Sequence, residues 1–344
     1  MQFGYWLPVF GGWLRNVDDE GMETSWPYVQ RLVQRSEELG YDLTLIAELF
    51  LNDIKGIDAP SLDALTTTAA LAAITKKLEL MVAVRPTFHN PAIFAKQAAN
   101  IQAISGGRLS LNVVSSWWKD EALKYAIEYE QHDDRYARME EWMTIVQGMW
   151  ERDGFSFEGK YYSVNDTVLQ PKPATKPLLY AGGESEAGKN LIARLCDGYV
   201  MHGDDPDVIG RRIQDLRERR DKLGLPQMRY GVAAYSVVRN TDEEVKKELA
   251  RITDVQASAR GYGNYQQWIN GTQLEKRVSL EDYSVSNRGL RSGLTGTPEG
   301  VAEQIDRFER AGVDFFLLQC SPQLEEMERF AEAIMAYEPA RREQ

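Results

Sequence analysis

Two cysteines and three histidines in 344 residues leave little material for a disulfide framework or a metal centre. Cys196 and Cys320 lie far apart and match no ligand spacing, the pattern expected of a reduced cytoplasmic chain. His89, His132 and His202 are equally scattered, so metal catalysis is not expected. No apolar run approaches the ~18 residues that cross a membrane. No basic run interrupts an acidic balance, with net charge −12 and pI about 5.0, which argues against nucleic acid or an anionic lipid surface as partner. The start, MQFGYWLPVFGG, lacks the basic and apolar segments of a secretory leader. Low-complexity tracts and short repeats are absent. No GxGxxG follows a strand, no GxxxxGK[ST] occurs, and no GxSxG completes a nucleophile turn. Dinucleotide binding of the usual kind, nucleoside triphosphate hydrolysis and serine esterase chemistry are therefore not supported.

What is present is alternation. The length fits two domains or one large α/β barrel, and 43% hydrophobic composition supports a sizeable core. Short apolar runs read as strands at Phe3–Val9, Asp42–Ala47, Leu78–Val84, Leu109–Val114, Leu178–Ala181, Gly198–Met201, Arg229–Val238 and Phe315–Leu318. Helical spacing falls between them, at Tyr28–Leu39, Ser61–Thr75, Pro91–Ile104, Asp133–Trp150, Ser185–Leu195, Asp207–Leu223, Asp242–Ile252 and Pro298–Ala311, with a last helix at Gln323–Tyr337. Gly40 and the pair Gly106-Gly107 stand where two of these helices should stop. About eight βα units in series imply right-handed crossovers and a parallel sheet. The reading is an α/β protein, a single (β/α)8 TIM barrel over 1–344, with its site at the carboxyl ends of the strands. An open doubly wound sheet is the alternative. Two segments stand outside the repeat, at about 153–170 and 252–294. The first contains FSFEGKYYSV and reads as a hairpin. The second has no clear strand and reads as a mobile lid after the seventh strand.

Three stretches carry chemistry. LNVVSSWWKDE (111–121) sets Asn112 inside an apolar strand and follows it with Trp117-Trp118. A buried Asn needs a partner, which a neighbouring strand or a flat polar heterocycle can supply. The tryptophans are either packing or a ligand wall. YAGGESEAG (180–188) is a strand end, two glycines and a helix start, where backbone N–H groups can hold an anion and Ser185 can cap the helix or bind a phosphate oxygen. A plain capped turn accounts for it equally well, and Glu184 and Glu186 are unwelcome near a phosphate unless they point away. HDDRY (132–136) opens a helix with His132 and Tyr136 on one face beside Arg135. An ordinary surface cap is the other explanation.

Taken in order, FGYWLPVFGG, VAVRPTFHNPAIFAKQAANIQAISGGRLSLNVVSSWW, HDDRY, FEGKYY, PKPATKPLLYAGGESEAG and GTPEGVAEQIDRFERAGVDFFLL resemble the bacterial luciferase-like superfamily of flavin-dependent monooxygenases. Within it the chain looks most similar to the alkanesulfonate and dimethylsulfone monooxygenases, with likeness to the pyrimidine oxygenases as well. The resemblance runs from Phe3 to about Tyr337. It implies a barrel that binds reduced FMN at its mouth, with the flavin reduced by a separate NAD(P)H-dependent reductase. It implies a homodimer or homotetramer and a small organosulfur substrate oxidised with O2 at a C–S bond. Heterocycle oxygenation and F420-dependent redox chemistry are the other activities it allows.

By motif match, Asn112 and Glu121 would contact the flavin ring, and His132, Arg135 and Tyr136 its ribityl phosphate. Ser185 and the N–H of Glu186 would complete the phosphate site. Trp6, Phe10, Trp117 and Trp118 are expected as walls that exclude water. Where the alkanesulfonate enzymes carry an Arg and a His on the seventh strand, this chain has Ala233 and Tyr235. Arg291, in the lid end Gly289–Gly293, and Arg85, after the third strand, are the remaining candidate substrate cations. The loss of strand cations favours a less charged sulfone or another small organic molecule.

Overall fold

The computed structural model describes residues 1–17, 20–129, 132–255, 262–263, 265–271, 278–285 and 289–336. Among these the strands, in chain order, are β1 (Gln2–Leu7), β2 (Leu43–Ile46), β3 (Glu79–Val84), β4 (Leu109–Val113), β5 (Phe155–Glu158), β6 (Ser163–Thr167), β7 (Leu178–Ala181), β8 (Gly198–His202), β9 (Arg229–Tyr235), β10 (Val237–Val238), β11 (Thr295–Gly296) and β12 (Phe315–Gln319). Eight of them close into a parallel barrel in the order β1-β12-β9-β8-β7-β4-β3-β2. The barrel strands are those read from the sequence, and the closed barrel replaces the open-sheet alternative.

The helices are α1 (Trp26–Leu39), α2 (Ala64–Ile74), α3 (Pro91–Ser105), α4 (Lys119–Lys124), α5 (His132–Glu151), α6 (Glu186–Leu195), α7 (Pro206–Leu223), α8 (Asp242–Ile252), α9 (Tyr265–Gly271), α10 (Leu280–Ser284), α11 (Pro298–Ala311) and α12 (Gln323–Phe330). Side-chain caps fix their starts. Asp63, Asn90, Ser185, Asp205 and Thr297 each accept backbone N–H groups of the first turn. Four helices stop at left-handed glycines, Gly40, Gly106, Gly224 and Gly312. None of the described helices is long and apolar enough to cross a membrane.

Strand alternation sorts the core. Leu43, Leu45, Met81, Ala83, Tyr180, Val200, Phe315 and Leu317 fill the barrel interior with Trp6 packed on them. The intervening residues, such as Ile46, Val82, Leu111 and Val113, join the larger core between strands and helices. Two glycines make room for the interior rings: a Cβ on Gly198 would lie 2.2 Å from the Tyr180 ring, and one on Gly231 would lie 2.2 Å from the Phe315 ring.

Three details depart from the sequence reading. The run Arg229–Val238 is two strands: Ser236 N–H still bonds the Gln319 carbonyl of β12, but the next N–H, of Val237, turns to the Leu294 carbonyl. β10 then pairs with β11. The helix expected from Ser61 starts at Ala64, where Asp63 supplies the cap. The short helix α4 was hidden behind the Trp-Trp pair, being too short to show a period. FSFEGKYYSV does form the antiparallel hairpin β5–β6.

Candidate active site

At the carboxyl ends of the strands the barrel opens into a cavity of about 310 Å³. Most of the barrel strands deliver a residue to it, including Trp6 from β1, Ala83 from β3, Asn112 from β4, Val200 and Met201 from β8, and Ala233 from β9. The walls are aromatic. Trp6 and Phe10 both pack edge-on against Trp13, at 5.9 and 6.2 Å between ring centroids. Trp117 and Trp268 line the outer side.

Asn112 faces inward because β4 alternates, with Leu111 and Val113 turned to the outer core. Its Oδ1 is buried with no hydrogen-bond partner among the described residues, as are Trp6 Nε1 and Ser115 Oγ. A buried polar atom left unpaired costs about 1–3 kcal/mol. Three such atoms around one cavity suit a flat ligand with polar edges.

The other end of the cavity suits an anion. Gly182, Gly183 and Glu184 line it, and Ser185 caps α6 by accepting Gly188 N–H at 3.2 Å. Tyr136 crosses this loop. A Cβ on Gly183 would lie 2.8 Å from its hydroxyl, and one on Gly188 would lie 3.0 Å away. Both glycines are thus set by the tyrosine. Burial raises the Tyr136 phenol, and its bond with Ser185 offsets this only in part, so it stays a neutral hydroxyl. Arg135 also lines the cavity, anchored by a bond to the Ser116 carbonyl and one to Tyr129 Oη at 2.8 Å. The two glutamates of the loop do not spoil it. Glu184 is paired with Arg212 at 3.6 Å, and Glu186 points outward to Arg219 at 2.9 Å. Glu186 is the first residue of α6, next to the Ser185 cap, and like Ser185 it does not itself line the cavity. The side chain of His132 lies outside the described residues.

An apolar slot, unpaired polar atoms on its wall, and a glycine loop at a helix N-terminus together fit flavin mononucleotide. Asn112 would meet the ring, and Arg135, Tyr136 and Ser185 the phosphate end.

Four of the expected site residues are placed elsewhere. Glu121 is fully buried behind the cavity wall, where it pairs with Arg85 and accepts the N–H groups of Phe50 at 2.6 Å and Leu51 at 3.2 Å. Trp118 is also fully buried, stacked behind Trp117, so the outer ring alone forms the wall. Tyr235 packs with Leu14, Val237, Ile252 and Val285 rather than into the barrel. Arg291 is held by Asp282 at 2.5 Å and does not line the cavity. Arg85 does line it, but lies between Glu48 and Glu121 with the Phe88 ring 3.8 Å away.

Part of the segment 252–294 covers the mouth. Trp268 of α9 borders the cavity and packs with Val278, Tyr283 and Trp117. Arg15 fastens this cover. It donates to the Tyr283 carbonyl at 3.0 Å, lies 3.9 Å from the Tyr283 ring centre, and pairs with Asp53 at 2.5 Å. Burial opposes its charge, but Asp53 together with the Tyr283 and Tyr262 phenols outweighs burial and holds Arg15 above the ordinary arginine range. Arg15, Asp53, Glu48 and Trp268 were not singled out from the sequence. Their only signal was charge or aromatic rings near strand ends, and their partners lie on distant segments.

Residues 1–314 match the family described as luciferase-like monooxygenase. The chain is 32% identical over 347 residues to an FMNH2-dependent dimethylsulfone monooxygenase of Pseudomonas putida, covering 97% of this chain and 94% of the relative. It is 30% identical over 354 residues to the enzyme of that name from Pseudomonas fluorescens (strain Pf0-1), covering 97% and 93%. Among solved structures, a long-chain alkane monooxygenase has the same fold, with a TM-score of 0.83 at 18% identity, covering 99% of this chain and 91% of that one.

Proposed function

Because this chain belongs to the luciferase-like monooxygenase family, we propose that it is an FMNH2-dependent monooxygenase that uses O2 to cleave a C–S bond of a small neutral sulfone, dimethylsulfone in the first place. The observation that carries the substrate class is that the described cations of the cavity outside the phosphate end are each offset by carboxylates. Arg85 is offset by Glu48 and Glu121, Arg15 by Asp53, and β9 offers Ala233 where a cation could stand. Among the described residues, a sulfonate would meet no uncompensated cation outside the phosphate end. A sulfone brings no charge and finds aromatic walls. The near-full-length likeness to dimethylsulfone monooxygenases supports the same reading.

Reduced FMN supplies the electrons that activate O2. The protein's part is to hold and shield. Asn112, Arg135, Tyr136 and Ser185 orient the cofactor. Trp6, Trp13, Trp117 and Trp268 exclude water from the reacting centre. Arg15 keeps the cover closed. Insertion of one oxygen at a methyl carbon of dimethylsulfone gives a hydroxymethyl sulfone, which breaks down to formaldehyde and methanesulfinate. A separate NAD(P)H-dependent flavin reductase delivers the reduced flavin to this chain, which works in the cytoplasm as a homodimer or homotetramer.

The test is a reconstituted assay with a flavin reductase, FMN and NADH, offered dimethylsulfone, methanesulfonate and uracil in turn. Methanesulfinate and formaldehyde in equal amounts from dimethylsulfone support the proposal. Sulfite from methanesulfonate, or a ring-opened amide from uracil, with dimethylsulfone inert, would replace it. Anaerobic titration with reduced FMN and with F420 checks the cofactor independently.

A further inference from the structure

Four ionisable side chains meet beside the cavity, where β2 and β3 end. Glu48 follows β2 and borders the cavity. Its Oε2 accepts the backbone N–H of Arg85 at 2.8 Å and Arg85 Nε at 3.3 Å. Its Oε1 meets His89 Nε2 at 2.5 Å. The far end of Arg85 is paired with Glu121. The side chains of Arg85, Glu48 and Glu121 are at most 2% exposed, whereas that of His89 is 15% exposed.

Charge counting decides what this cluster holds. Two carboxylates against one guanidinium leave one negative charge away from water, which is strongly disfavoured. Of the four groups, His89 is the one that can bring an offsetting positive charge, and its Nε2 meets Glu48 at 2.5 Å. Among the described residues, neighbouring elements bring no second cation against Glu48. Lys96 of α3 reaches the Gln170 carbonyl, and Arg138 of α5 lies over the Tyr161 and Tyr162 rings at 4.7 and 5.3 Å. Tyr162 gives its hydroxyl to the Pro86 carbonyl at 3.2 Å, and Tyr125 to that of Phe50 at 3.4 Å. Rings of Phe50, Phe88 and Phe94 close the remaining sides. The cluster therefore spans from the dry cavity, at Glu48, to its most exposed member, His89.

We propose that Glu48 and His89 form a proton exit from the cavity. The inference rests on the sulfone reading. In the breakdown of the hydroxymethyl sulfone the C–S bond breaks and its electron pair stays on sulfur. The C–O bond becomes a carbonyl, and the hydroxyl proton must leave. Each turnover thus releases one proton inside a site built to exclude water. Glu48 takes that proton from the substrate hydroxyl, and His89 exchanges a proton with Glu48 on one side and solvent on the other.

Two variants and one spectrum test it. In the reconstituted assay Glu48→Gln and His89→Ala are each expected to lower kcat about 100-fold. Imidazole added to His89→Ala should restore rate, with a pH profile that follows the added base. Retained kcat in both variants, or no rescue, would overturn the proposal. Nitrogen NMR of the histidine rings in the FMN-loaded protein without substrate reads the cluster directly. The ring-nitrogen signals of His89 should shift in Glu48→Gln, where the carboxylate that meets Nε2 is replaced by an amide. A His89 spectrum that Glu48→Gln leaves unchanged overturns the exit. If the wild type forms no methanesulfinate, the sulfone reading fails instead, and the spectrum still decides the pair.

Discussion

Trp117 and Trp118 are stacked with ring centroids 5.5 Å apart and planes 6° apart, yet of the two only Trp117 borders the cavity. Adjacent residues thus have opposite duties. Trp118→Ala removes a fully buried ring and is expected to cost about 3–5 kcal/mol in urea unfolding. Trp117→Ala should cost much less stability and raise KM for the sulfone about tenfold. Equal stability losses, with KM unchanged in Trp117→Ala, would show that both rings are packing.

The contact between Tyr136 and the glycine loop gives a second, paired test. In Gly183→Ala the new methyl group would crowd the Tyr136 hydroxyl, 2.8 Å away. Reduced FMN should bind at least about tenfold more weakly, a loss of about 1.4 kcal/mol. Tyr136→Phe removes the crowded oxygen, so the double variant should bind better than Gly183→Ala alone. A double-mutant cycle by anaerobic fluorescence titration measures this coupling. Strict additivity would mean that the loop and the tyrosine act separately.

The contrast between these residues shows what a sequence can reveal. The barrel was legible because strands and helices alternate with different periods, and eight buried strands leave few closed arrangements. Asn112 was legible because a polar residue interrupts an apolar strand. Trp118 and Glu121 were not, because the turn after β4 has no period to say which side chain faces in. Tyr235 misled because β9 and β10 read as one apolar run, while Ser236 turns the chain between them. The pairing of Arg85 with Glu48 and Glu121 joins residues 36 and 37 positions apart on separate elements, beyond the reach of any local pattern.

Asn112 separates a ligand role from a structural one. Its buried Oδ1 has no hydrogen-bond partner among the described residues. Asn112→Ala should therefore leave the thermal midpoint nearly unchanged and weaken reduced FMN about tenfold, as the loss of one hydrogen bond implies. Calorimetry and anaerobic titration on the same preparation decide. A lowered midpoint with unchanged affinity would make Asn112 a core residue only.

Arg15 joins the strand-end loops to the cover through Asp53 and Tyr283. Arg15→Met leaves the Asp53 carboxylate buried without its guanidinium and is expected to cost about 3–5 kcal/mol. Adding Asp53→Asn should recover part of that loss. Reduced FMN consumed per sulfinate formed should rise in both variants, because a loosened cover admits water. A normal ratio in Arg15→Met would show that the clasp has no part in shielding the reaction.

The most direct measurement omits the reductase. Enzyme loaded anaerobically with one equivalent of reduced FMN and excess dimethylsulfone is mixed once with oxygenated buffer, and the products are counted. The expected result is close to one methanesulfinate and one formaldehyde per flavin oxidised. Complete flavin oxidation with hydrogen peroxide as the sole product, and no sulfinate, would contradict the assignment of this cavity to sulfone oxygenation.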